Sequence, residues 1–486
     1  MPSPLAHAGW HLEHSYASLP AIFHKASQPE PVRRPELAIF NHSLASSLGL
    51  DAALLDSPEG ASIFGGNSLP HGSRPLAQAY AGHQFGHFTF LGDGRAILLG
   101  EQIAPDNRRW DVQLKGSGPT RFSRRGDGRA AIGPMLREYL VSEAMHALGI
   151  PTTRSLAVTL TGESVRRDSL LPGAVLTRIA ASHIRVGTFE WAAASGDLDA
   201  ASALVNYTLA RHFPDTPVTD SPALALLNAV AARQATLIAQ WQLVGFIHGV
   251  MNTDNMALSG ETIDYGPCAF IDHYDPATVF SSIDRHGRYA YHNQPPIAHW
   301  NLTRFAEALL PLIHPDESSA IALAQSTLKG FPDTCARHQY DGLKAKLGLV
   351  SDLPGDRALT DDFLSWMHSS RADFTNAFAA LSNGKLPENT NEDAVFQSWH
   401  QRWLNRLSAQ PLPIDDALAL MRQHNPAAIP RNHKVEAALA AATSGDLTPF
   451  HQLLAIVSNP FAHGNIPIEF SQPGPANCSY QTFCGT

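Results

Sequence analysis

Between His248 and Gly266 the chain places two groups of oxygen donors at the ends of a short apolar hairpin pattern. The run His248-Gly-Val-Met-Asn252-Thr-Asp254-Asn255 leads into Met256-Ala-Leu258, Ser259-Gly260 and Glu261-Thr-Ile263, and closes on Asp264-Tyr265-Gly266. A Ser-Gly pair between two such triplets reads as a two-residue turn. In that register 258 pairs with 261 and, counting outward, Asn255 lies opposite Asp264. Directly opposed residues bring their Cβ atoms to about 5 Å. An amide oxygen and a carboxylate so placed can share one Mg²⁺, with phosphate oxygens and water as its other ligands. Asp254 then lies at the mouth of the site. Read without a metal, the same residues are a polar hairpin end with capping side chains.

Composition narrows what such a site serves. A chain of 486 residues exceeds what one hydrophobic core usually supports, so two lobes or more are expected. Hydrophobic residues at 44% and charged residues at 16% exclude a disordered chain. With 35 Lys and Arg against 44 Asp and Glu, the net charge of −9 offers no basic face, and no nucleic-acid partner is expected. No apolar run approaches the ~20 residues of a membrane helix, so no membrane partner is expected either. The opening MPSPLAHAGWHLEH lacks the basic start and apolar centre of a signal peptide. The cysteines, Cys268, Cys335, Cys478 and Cys484, show no CxxC spacing. A cytoplasmic monomer is the expectation. His83 and His87 stand four apart, but Gln-Phe-Gly between them is poor helix, so they read as polar loop residues rather than metal ligands.

Residues 1–90 read as irregular, with a helical patch over 35–48. Strands are predicted at 95–102, at 110–115, where Trp110, Val112 and Leu114 alternate with Asp111, Gln113 and Lys115, and at 155–160 and 173–180. Parity puts Lys115 on the polar face. Leu136, Leu140, Ala144 and Leu148 recur every fourth residue and predict a helix stopped by Gly149. Ser221-Pro222 opens a long helix running to about Leu243. Beyond 300 the periodicity is mainly helical, as over 361–381.

Three further constellations bear on chemistry. Leu91-Gly92-Asp93-Gly94-Arg95 is either a hairpin turn or a loop whose N–H groups can approach an anion. Arg121, Arg124, Arg125 and Arg129 crowd a loop around Gly126-Asp127-Gly128, which is either a solvated surface or a cradle for a multiply charged anion such as a triphosphate. No GxxxxGK[ST] run is present, which excludes a P-loop. Lys115 on a strand, followed by Glu138 or Glu143 on a helix, is the pairing with which a kinase-type small lobe holds ATP phosphates. Against the kinase signature, His248 matches the loop histidine, Asn255 the metal-binding asparagine and Asp264-Tyr265-Gly266 the DFG segment. The position of the usual catalytic aspartate holds Val250.

With these residues in view, the chain resembles the selenoprotein O / YdiU family of kinase-like protein adenylyltransferases. The resemblance is carried by AGHQFGHF (81–88), LGDGRAILLGEQ (91–102), GDGRA (126–130), REYLVSEAMHALGIPTTR (137–154), HGVMNTDNM (248–256), DYGP (264–267) and HGRYAYHNQP (286–295). NPAAIPRNH (425–433) and NPF (459–461) extend it more weakly. It implies an α+β, two-lobed kinase-like fold binding ATP in reversed orientation. The enzyme would move AMP to Ser, Thr or Tyr hydroxyls of proteins with release of pyrophosphate. Carried over by residue, Gly92, Gly94, Arg95, Lys115, Asp127, Gly128, Arg178, Arg185 and Asp264 would contact nucleotide. Asp254 would accept the proton, Asn255 and Asp264 would hold Mg²⁺ or Mn²⁺, and Glu138 would partner Lys115. UMP transfer from UTP with Mn²⁺ is an alternative, as are an ordinary phosphotransferase and a non-catalytic nucleotide-binding pseudokinase. The chain lacks the cysteine that many bacterial relatives carry before the HGRY segment, so Cys484 has no counterpart there for a regulatory disulfide. The expected layout is an N-terminal extension (1–90), a β-rich nucleotide-binding lobe (91–180), a large lobe with the metal hairpin (181–300) and a helical C-terminal region (301–486).

Overall fold

The computed structural model describes residues 8–217, 221–475 and 480–482. Among them the chain is α+β, an antiparallel eight-stranded sheet followed by a long succession of helices. Across the sheet the order is His24–Ala26, Leu76–Gln78, Ala96–Ile103, Arg109–Lys115, Leu170–Ala180, Arg154–Arg166 and Glu36–Phe40, with Leu12–Glu13 also paired to Ala96–Ile103. The alternation read in 110–115 separates two layers. Val112 and Leu114 are buried with Ile97, Leu99, Val175 and Phe64 on one face. Asp111, Gln113 and Lys115 take the other face and are buried as well, because the helices cover it.

The predicted helix is Ile132–Ala147, ended by Gly149 at φ +76°. Its Leu136, Leu140 and Ala144 pack on Val158, Ala174 and Leu176 of the sheet. Two late helices, Asn432–Thr443 and Thr448–Val457, return to it through Val435, Leu439, Phe450 and Leu453. The long helix is Pro222–Val244, started by the Ser221 hydroxyl, which accepts the Leu224 N–H at 3.2 Å, and stopped by Gly245 at φ +72°. By length and composition it could cross a membrane. Its Leu226, Leu227, Val230 and Ile238 are instead buried in the core of the helical part.

The predicted patch over 35–48 is half strand: Glu36–Phe40 pairs with Arg154–Arg166 before His42–Ser47 turns helical behind the Asn41 cap. Edge pairing captures the Leu37-Ala-Ile39-Phe40 stretch that helical spacing also fits. The helix expected over 361–381 is two, Asp356–Ser370 and Phe374–Ser382, separated by Arg371 at φ +54° and the Asp373 cap. Both halves bury aromatics (Phe363 and Trp366, then Phe374 and Phe378) in one core, so the apolar period runs through the break. His83 and His87 lie on two strands of a hairpin, Ala81–Gln84 and His87–Phe90, not on a helix. Cys268 and Cys335 are buried thiols; Cys478 and Cys484 lie outside the described residues.

Candidate active site

Between the sheet and the helical part lies a cleft of about 720 Å³, lined by residues drawn from 80 to 267. Its floor is an ion cluster. Lys115 Nζ donates to Glu138 at 2.7 Å and to Asp264 at 2.8 Å. Arg178 donates to Glu138 at 2.7 Å and to Asp264 at 2.6 Å, and Arg185 reaches Asp264 at 2.7 Å. Glu143, the alternative partner for the lysine, is taken by Arg154 at 2.6 Å. Register explains the convergence, since Leu176 stands opposite Lys115 and Arg178 opposite Gln113 on the neighbouring strand. Burial by itself would raise the Asp264 carboxyl, but Arg178, Lys115 and Arg185 outweigh it and hold the group well below the ordinary range. Glu138 is likewise lowered: burial opposes ionisation, and Arg178 with Lys115 overcomes it.

Both glycine-rich loops border the same cleft, which includes Gly92, Gly94, Arg95, Asp127 and Gly128. Thr120 donates to the Asp93 carbonyl at 2.6 Å, and Ser123 donates to that of Gly94, so the loops are tied together. Gly92 adopts φ +98°, and a Cβ there would lie 2.5 Å from the Phe122 ring. Only glycine lets the loop close on that ring. Asp127 is bound to Arg167 at 2.8 Å, which holds its carboxyl below the usual range, and it accepts the Arg129 N–H at 2.9 Å. Arg129 pairs with Glu30 at 3.2 Å. Arg95, Arg124 and Arg125 line the cleft with no ion-pair partner among the described residues. Unpaired guanidinium groups at a cleft wall are free to bind phosphate or carboxylate oxygens in bidentate fashion.

The expected hairpin register does not form. Ala257 bridges to Arg185 and Thr262 to Thr152, so the two flanks of the Ser259-Gly260 turn pair outward instead of with each other. Asn255 sits in a 3-10 turn, Thr253–Asn255, and nevertheless faces the cleft together with Asp264. Its amide donates to the Val250 carbonyl at 2.9 Å, leaving the amide oxygen as an acceptor. Asp254 is buried, with one carboxylate oxygen lacking any hydrogen bond. Burial pushes its carboxyl up to about 7, with Arg185 acting in the opposite direction. The metal test rests on this donor set. The Asn255 amide oxygen and the Asp264 carboxylate, both at the cleft, are hard donors of the kind Mg²⁺ takes, so the residues fit the ion. Among the described residues no cluster of three His, Cys, Asp or Glu competes with this assignment.

Comparison with known proteins decides the family. The family model "Protein adenylyltransferase SelO" matches residues 8–458. This chain belongs to the SelO family. A protein nucleotidyltransferase YdiU from Bacillus cytotoxicus is 56% identical over 486 residues, covering 98% of each chain. Those from Halalkalibacterium halodurans and Geobacillus kaustophilus are also 56% identical, covering 98% and 100% of their own lengths.

Some residues of this cleft carry no signal in motif spacing. Arg178 and Arg185 were expected through the resemblance alone. A lone arginine within the apolar run GAVLTRIA was the available hint, because a buried strand carries a charge only where a partner meets it. Asn252 also borders the cleft, accepting from Tyr289 Oη at 2.6 Å and from the Phe85 N–H at 3.1 Å. Asp93, pushed up to about 6 by burial, accepts the Gln78 N–H at 3.1 Å beneath the first glycine loop. Tyr80 lies under the Arg185 guanidinium, 4.6 Å from its ring centre.

Lys115 was expected on the polar face of its strand, and on that face it is buried by the helices. Charge balance sets the expected outcome of its removal. The cluster holds three cations, Lys115, Arg178 and Arg185, against two carboxylates, Glu138 and Asp264. Lys115→Ala leaves two of each. It should therefore keep its fold, with a smaller loss of melting temperature than a change that leaves the cluster unbalanced, yet bind ATP more weakly and turn over slowly. A large loss of thermal stability with unchanged turnover would show the lysine to be structural.

Proposed function

We propose that this chain transfers AMP from ATP to Ser, Thr or Tyr hydroxyls of proteins, within a kinase-like two-lobed frame. The observation that carries the reading is the presence of two features in one cleft. Lys115, Arg178 and Arg185 line it with the unpaired Arg95, Arg124 and Arg125, and so does Asp254, whose backbone carbonyl accepts from Arg185 at 2.9 Å and whose carboxylate has no cationic side chain bonded to it among the described residues. The first set suits a triphosphate, and the second suits a hydroxyl about to lose its proton. The kinase-like frame is supported by a sheet lysine held by a helix glutamate beside the cleft.

In this reaction the acceptor oxygen forms a bond to the α-phosphorus while the bond to the bridging oxygen of pyrophosphate breaks. Asp254 takes the hydroxyl proton. A carboxyl near 7 is suited to this, being ionised in part at neutral pH and basic enough to accept a proton. Lys115, Arg178 and Arg185 would neutralise charge as pyrophosphate leaves, and Glu138 would keep the lysine extended toward the phosphates. Asn255 and Asp264 would hold Mg²⁺, which when bound neutralises triphosphate charge.

The test is incubation of purified enzyme and acceptor protein with ATP labelled at the α- or, separately, the γ-phosphate. Protein-bound label from the α-position alone is expected. Label from γ alone would establish a phosphotransferase, and none from either a nucleotide-binding scaffold. The same assay with α-labelled UTP reads UMP transfer.

A further inference from the structure

Three segments meet around the Asp254 side chain. A Cβ on Gly82 would lie 2.4 Å from an Asp254 carboxylate oxygen, and one on Gly187 would lie 2.0 Å from the Ala81 carbonyl. The first turn of the helix Val186–Ser195 thus lies against the backbone of both the hairpin strand Ala81–Gln84 and the 3-10 turn Thr253–Asn255, and the Asp254 side chain packs directly on Gly82 of the strand. Glu190, one turn beyond Gly187, joins all three. One of its oxygens pairs with His83 Nδ1 at 2.5 Å, and the other accepts from Thr253 Oγ1 at 2.6 Å. The Thr253 hydroxyl in turn accepts the His83 N–H at 2.6 Å, which closes a ring of three residues. The ring is closed to solvent on two of its three members: the Glu190 side chain is 4% exposed and Thr253 is fully buried, while the His83 side chain is 19% exposed. The His83 imidazole is clamped edge-on between Phe88 and Trp300, with centroids 5.4 Å away on both sides. Glu190, His83 and Thr253 are all absent from the cleft lining, so they act on the chemistry only through what they hold.

We infer that Glu190 is the positioning residue for Asp254, fixing the 3-10 turn against the 81–90 hairpin so that the carboxylate meets the acceptor hydroxyl. This inference rests on the reading of Asp254 as proton acceptor. The physical need is plain. One Asp254 oxygen has no hydrogen bond, so its direction is set by where the turn places the backbone and by the Gly82 surface above it. Misplacement of a reacting group by about 1 Å can cost about 10²-fold in rate. The aspartate at the position two residues beyond the histidine is replaced by Val250, so the turn that carries Asp254 needs an anchor of its own, and the Glu190 ring supplies it.

The experiment measures single-turnover transfer from α-labelled ATP, ATP affinity by calorimetry and melting temperature for four proteins. These are wild type, Glu190→Ala, Glu190→Gln and Thr253→Val. Glu190→Ala should lower the transfer rate by about 10²-fold with ATP affinity unchanged. Glu190→Gln keeps an acceptor for Thr253 and offers a donor to the His83 ring, so it should recover most of the rate. Thr253→Val preserves volume, removes the hydroxyl link and carries the test if Glu190→Ala fails to fold; the same split of rate from affinity is expected. Wild-type rates in Glu190→Ala or in folded Thr253→Val overturn the inference, as does a fall of ATP affinity in step with rate. With an active wild type, such results leave the adenylyl-transfer reading standing. A wild type that moves no α-label overturns both.

Discussion

Asp264→Asn should reduce transfer by about 10³-fold and abolish the metal dependence of ATP binding. Asp264 is the common partner of Lys115, Arg178 and Arg185, and the full anion proposed to share Mg²⁺ with Asn255. Its removal leaves three cations against Glu138 alone, the opposite of the balanced cluster left by Lys115→Ala. Losing one partner of a buried ion pair costs about 3–5 kcal/mol. The variant should therefore also melt earlier than Lys115→Ala, and ATP without metal should bind it at least as well as wild type, because the triphosphate restores the missing negative charge. Calorimetric ATP titrations with and without Mg²⁺ check this. Near-normal turnover in a folded Asp264→Asn protein would refute the metal assignment.

Asp254→Asn should slow transfer by about 10²–10⁴-fold while leaving ATP affinity within the error of measurement. The amide keeps the shape that fits beneath Gly82 and loses only basicity. It also relieves a carboxyl that burial has already pushed up to about 7, so the folded protein should be no less stable at neutral pH. If Asp254 served mainly as a metal ligand, ATP affinity in Mg²⁺ would fall along with the rate. Wild-type transfer would remove the residue from both roles. Rate and affinity must be read on the same preparation, since the two roles differ only in how they divide.

Local patterns in the chain were enough for the elements that carry the lysine and the glutamate. Two-residue alternation in Trp110 to Lys115 and four-residue spacing from Leu136 to Leu148 reflect backbone geometry that one segment imposes on itself. The Ser221-Pro222 start and Gly245 stop of the long helix are local in the same way. Motif order was enough for the family, and it singled out Asn255, Asp254 and Asp264, which all line the cleft.

Tertiary structure decided how those residues come together. The hairpin register proposed to oppose Asn255 and Asp264 is absent, because Ala257 and Thr262 find better partners in Arg185 and Thr152, remote in the chain. Convergence on the cleft comes instead from a 3-10 turn and a left-handed Asp264 at φ +62°. The choice of Glu138 over Glu143 depended on Arg154 occupying the latter. The burial of Lys115 depended on helices more distant in sequence covering the polar face of its strand. Short-range periodicity records which face of an element is apolar; it holds no information about which remote charge will neutralise a buried one. That pairing is settled only when strands 109–115 and 170–180 lie side by side and bring Lys115, Arg178 and Asp264 within hydrogen-bonding distance.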